Sequence, residues 1–164
     1  MKKSKRRQFL SMLGLGSIGL AGASLNSSKA YAHHTDTHFD DKALHKLVYQ
    51  CNRADHDYIE HVLFSCGEML RKYGDDIELV VAAFGPGLNL LGKRPKRSIA
   101  TIHQQRVASL ADYGVRFQAC GNTMKKVSKK TGKMPVLLEG VGVVTAGVAH
   151  IMELQEQGYA YIRP

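Results

Sequence analysis

Between Ile77 and Phe84 the chain reads Ile-Glu-Leu-Val-Val-Ala-Ala-Phe, with a single polar side chain. A strand with one face in water alternates apolar and polar residues. A run without that alternation has to be covered on both sides, as the inner strands of a parallel sheet are. The run is also too short to cross a bilayer, which takes roughly 20 apolar residues in a helix. The rest of the chain must therefore supply helices for both faces of this strand.

Strand and helix signals alternate around it. Residues 44–51 are strand-like, and Asn52 is placed to cap a helix in which Ile59, Val62, Leu63, Cys66 and Leu70 recur at helical spacing until Gly74. Gly85-Pro86-Gly87 ends the apolar strand. A loop carrying Lys93, Arg94, Lys96 and Arg97 leads to Ser98, a cap for a helix that closes near Tyr113-Gly114. Strands are predicted over 115–119, 141–144 and 159–163, and helices over 121–130 and 145–157, the last stopped by Gly158. The order predicts a three-layer α/β/α sandwich on a mainly parallel five-stranded sheet, with right-handed crossovers putting helices on both faces.

The amino end is of another kind. Residues 1–10 hold five basic side chains and no acid, with Arg6 and Arg7 paired before Phe9 and Leu10. A glycine-rich apolar stretch follows to Ala23, and Ala30-Tyr31-Ala32 offers small residues where a signal peptidase reads. Residues 1–32 are thus expected to be a twin-arginine signal peptide, read by the Tat translocase and removed after Ala32, so that the protein is periplasmic or otherwise exported. Residues 33–41, with three histidines and no hydrophobic period, read as a flexible arm, and residues 42–164 as the folded domain. Without residues 1–32 the chain holds 17 Lys and Arg against 14 Asp and Glu, so its high isoelectric point is no argument for nucleic acid.

The odd number of cysteines is a chemical clue, since three thiols in an exported chain cannot all pair internally. In a parallel sheet, ligands and catalytic groups gather beyond the carboxyl ends of the strands. Those ends are Cys51-Asn52, Gly85-Pro86-Gly87, Cys120-Gly121-Asn122-Thr123 and Thr145-Ala146-Gly147. Cys120 stands between a strand and a helix start, where free backbone N–H groups, together with the lysines that follow, favour thiolate over thiol. A buried, inert cysteine is the plainer alternative. Cys66 falls on an apolar helical stripe, and Cys51 could be the last buried residue of its strand. A Cys51–Cys66 disulfide is not expected, because about 14 helical residues at roughly 1.5 Å each separate them, and a bridge needs Cα atoms within about 7 Å. Gly85 and Gly87 would let a ligand or thiol approach the backbone closely, or simply make a turn. His33, His34 and His38 could bind a metal, a third and less favoured reading, but an unstructured arm gives them no fixed geometry. His56 and His61 are not at i, i+4 spacing, and nothing in the sequence demands a nucleotide, flavin or metal cofactor.

Four segments together resemble the DsrE/DsrF-like family: Tyr49 to Asp55, Ala83 to Gly87, Tyr113 to Met124 with its Cys120-Gly121-Asn122-Thr123, and Gly147 to Pro164. The resemblance covers nearly all of the chain after the arm. It implies a parallel α/β sandwich, a homo- or hetero-oligomer, and a cysteine that carries sulfur as a persulfide. Only Cys120 falls in the family's cysteine motif. The expected function is accordingly a periplasmic sulfur carrier in which Cys120 takes sulfane sulfur from a donor and passes it to an acceptor thiol, with Gly85, Gly87, Gly121, Asn122 and Thr123 shaping the site. The alternative is a non-catalytic oligomeric module that binds a small ligand or partner.

Overall fold

The apolar run forms the centre of the sheet. In a computed structural model, which describes residues 43–164, β2 (Ile77–Ala83) lies between β1 (His45–Cys51) and β3 (Arg116–Cys120). β4 (Gly142–Val144) and β5 (Ala160–Ile162) form the edges, in the order β4-β3-β2-β1-β5 with every pair parallel. Val80, Val81, Ala82 and Ala83 are fully buried because both faces of β2 are covered. The signal peptide and histidine arm expected from the sequence lie outside the described residues.

The two faces are covered unequally. α1 (His56–Tyr73), the single turn α2 (Leu88–Leu91), α3 (Thr101–Asp112) and α4 (Gly121–Thr131) pack on one face, against Leu47, Tyr49, Leu79, Val81 and Phe117. α5 (Gly147–Glu156) covers the other, its Ile151 and Leu154 meeting Val48, Val80 and Ala82. The strand order explains this. The chain steps from β1 to β4 in one direction, so right-handed crossovers put every intervening helix on one side. It then returns past three strands to β5, which puts α5 on the opposite side.

Local chemistry moves several boundaries from where the spacing put them. α1 is capped by Asp55 rather than Asn52: the Asp55 carboxylate accepts the Tyr58 N–H at 3.3 Å, and residues 52–55 form a connector. Ser98 does not cap α3, which starts at Thr101 after Ala100 with no side-chain cap. The chain after Phe84 is not a plain loop. Gly85–Gly87 makes a 3₁₀ turn leading into α2, whose Leu88, Leu90 and Leu91 are buried; four residues are too few to show a helical period in a sequence.

Candidate functional site

Connections leave β3 and β4 toward opposite faces, β3 into α4 and β4 into α5. This is the place where a parallel sheet opens a crevice at its carboxyl edge. Cys120 ends β3 there. Phe117 and Ala119 belong to the core under α1, so strand alternation turns the Cys120 side chain toward the α5 face. It is 6 % exposed.

Two helix starts converge on the sulfur. Cys120 is itself the N-cap of α4, so the N–H groups of Asn122 and Thr123 face it, and Gly147, the first residue of α5, contributes a third N–H. The first two do not close a full capping bond. The Asn122 N–H is in fact shared with the Thr145 carbonyl oxygen, 3.1 Å away, which makes it the weakest contributor. The Thr123 side chain completes the set. Its Oγ1 accepts the Gly85 N–H at 3.1 Å, which leaves the hydroxyl hydrogen for the sulfur.

Burial alone would push the Cys120 thiol up. The Thr123 hydroxyl and the N–H groups of Gly147, Thr123 and Asn122 outweigh it, and the pKa is lowered from the ordinary 9.0. Cys51 and Cys66 lack any such donors and are pushed up to about 12, chiefly by burial. All three thiols are free. The lysines of α4, from which the sequence suggested help for the thiolate, are exposed, and the partial charges of the peptide groups act on the sulfur instead.

The glycines have distinct tasks. A Cβ on Gly121 would come 3.1 Å from the Val144 carbonyl oxygen, so glycine lets the start of α4 press against the end of β4. Gly85 has φ +53° and presents its N–H to Thr123. Gly87 is buried, and a Cβ there would lie 2.1 Å from the Cys51 carbonyl oxygen, so its close approach is to β1. The structure thus groups Cys120, Gly121, Asn122, Thr123 and Gly85 around one sulfur and sets Gly87 against the neighbouring strand. Gly147 was legible only as part of the rim; a glycine opening a helix after a strand was the available sign.

A second polar group lies between the starts of α1 and α3. His103, 1 % exposed, faces His56 Nδ1 through Nε2 at 2.9 Å, and its Nδ1 lies 3.6 Å from Glu60, which Arg106 also binds. Burial, then His56, lowers the His103 pKa. Sequence spacing could not join residues 47 positions apart. Among the described residues no group of three or more His, Cys, Asp or Glu side chains is arranged to hold a metal ion, and no helix is long and apolar enough to cross a membrane.

No match was found among curated proteins. A solved structure, that of a protein of unknown function, MTH1491, from Methanobacterium thermoautotrophicum, is similar: 29 % identity over 73 % of this chain and 99 % of that one, with a TM-score of 0.62. The model of the DsrE/DsrF-like family matches residues 45–164, which include every strand and helix described above and Cys120 with the groups around it, and the chain therefore belongs to the DsrE/DsrF-like family.

Proposed function

We propose that this protein is an exported sulfur carrier that holds sulfane sulfur as a persulfide on Cys120. Family membership supports a sulfur-relay-related role. The observation that carries the reading to this residue is the placement of Cys120 at two helix starts beside the Thr123 hydroxyl, which lowers its pKa, whereas burial raises Cys51 and Cys66 to about 12. The Cys120 thiolate attacks the terminal sulfur of a donor persulfide, R–S–SH. An S–S bond forms at Cys120, the donor S–S bond breaks, and R–S⁻ leaves as thiolate. An acceptor thiolate then attacks the outer sulfur on Cys120, takes it as a new persulfide and returns Cys120 to thiolate. No net oxidant is needed. Gly147, Asn122 and Thr123 stabilise the charge at both ends of the cycle, since the same thiolate is first nucleophile and later leaving group.

Export rests on Arg6-Arg7 and Ala30-Tyr31-Ala32. A homo-oligomer is part of the same reading, favoured by Val148 and Met152, which lie one turn apart on α5 and are 67 % and 56 % exposed. The decisive experiment is intact mass of the protein before and after a persulfide donor, with Cys120→Ser alongside. One added sulfur that reductant removes and the variant lacks is expected. Equal loading of Cys120→Ser, or no loading of a demonstrably reduced wild type, overturns the assignment and favours a binding module.

A further inference from the structure

Charge is distributed very unevenly along this chain. Residues 88–140 hold eleven Lys and Arg against two acids, Asp112 and Glu139. Arg106 and Arg116 are spent on Glu60 and Glu78. The other nine are exposed, and no acid among the described residues pairs with them.

These nine come from two separate stretches that the fold joins. Lys93, Arg94, Lys96 and Arg97 follow α2; Lys125, Lys126, Lys129 and Lys130 lie on α4, with Lys133 just beyond it. After α4 the chain runs antiparallel to the start of the first stretch. The Lys93 N–H donates to the Val136 carbonyl at 2.8 Å, the Leu138 N–H to the Leu91 carbonyl at 2.8 Å, and Gly92 bridges Leu137. Met134 and Val136, 54 % and 63 % exposed, therefore stand between the two cationic stretches. Their neighbours Leu137 and Leu138 turn inward onto the core.

We propose that this surface, the outer side of α4 with segments 91–97 and 133–138, which pair at 91–93 and 136–138, docks the protein reversibly on an anionic lipid bilayer. A group of lysines and arginines around exposed aliphatic side chains suits a negatively charged headgroup layer, where cations meet phosphate and the aliphatic tips enter the acyl boundary. The composition disfavours other occupants. Protein interfaces are depleted in lysine and enriched in aromatics, and seven of these nine cations are lysine. Single-stranded nucleic acid needs aromatic stacking platforms, and neither stretch contains a Phe, Tyr or Trp. Docking here is independent of the chemistry at Cys120.

The test is co-sedimentation of the chain from His33 onward, which keeps the compact unit Lys42–Pro164 whole and omits the basic amino end. Two vesicle compositions are compared: phosphatidylcholine alone, and an equal mixture with phosphatidylglycerol. Binding to the anionic vesicles only, weakened by added salt, is expected. A variant with Lys93, Arg94, Lys129 and Lys130 all changed to Gln should bind at least about tenfold more weakly. Met134→Ser with Val136→Ser should weaken binding to vesicles while leaving retention on a heparin column unchanged. Circular dichroism checks that both variants fold. The proposal is overturned if anionic vesicles are not bound at low ionic strength, if neutral vesicles bind equally, or if the Met134/Val136 variant binds anionic vesicles as well as wild type. In that last case the surface attracts polyanions of any kind.

Discussion

Cys51, Cys66 and Cys120 are the same side chain in three settings, all of them largely covered. The first two are surrounded by core, so an ionised sulfur would be stranded and the thiol form persists. Cys120 is equally a strand-end residue, but its sulfur meets the starts of two helices and a hydroxyl. Alkylation of the folded protein should therefore modify Cys120 alone, with a midpoint below pH 9.0. Thr123→Val removes the hydroxyl that faces the sulfur and the acceptor of the Gly85 N–H. It should move that midpoint up toward 9.0 and destabilise the fold by about 1 kcal/mol. An unchanged midpoint, read by pH-dependent iodoacetamide labelling and mass spectrometry, would mean that the hydroxyl contributes nothing to the thiolate.

Among elements, the turn after β2 couples the sheet to the site. Gly85 ties it to Thr123, and Gly87 packs it against the last carbonyl of β1. A methyl group at Gly87 has no free volume, since the nearby atom is backbone that cannot swing aside. Gly87→Ala should cost about 3 kcal/mol or more. Gly67 makes the contrast. It lies inside α1, with nothing within 4 Å of where its Cβ would be, so Gly67→Ala should stabilise by about 0.5–1 kcal/mol through helix propensity. Urea denaturation of the two variants should give midpoints on opposite sides of wild type. A Gly87→Ala protein as stable as wild type would show that the turn can move away from β1.

At the scale of the whole molecule, His103 links α1 to α3, and its titration reports on global unfolding. From α1 it is faced by His56 and Glu60, and on its own helix Arg106 lies nearby. Burial first, and His56 next, set its folded pKa below the unfolded value of 6.5, so the unfolded chain binds the proton more readily. The stability tied to the neutral ring is thus complete above pH 6.5 and is lost as pH falls through the folded pKa. Asp55, Glu60 and Glu68 act in the same direction but only in the carboxylate range, so a loss that begins near 6.5 is not theirs. His103→Gln should be less stable at neutral pH and lose less between about pH 7 and about pH 5. Parallel pH profiles for the two proteins would remove His103 from this role.

The α/β sandwich, its five strands and the place of Cys120 between a strand and a helix were legible in the residues, because each depends on short-range patterns: an unbroken apolar strand, a 3.6-residue stripe, a cysteine where a strand meets a helix. What depends on distance across the fold was not. Strand order put β4 beside β3 and thereby brought the Gly147 N–H to a sulfur 27 positions away. The same folding paired His56 with His103, and it joined residues 91–93 to 136–138 so that two basic runs became one surface. Asp55 displaced Asn52 as cap because the helix axis is fixed by packing on the sheet, and the cap falls wherever that axis meets the incoming chain. Periodicity records which face of an element is buried; which elements meet is set by the joint burial of all those faces, and the site is made of such meetings.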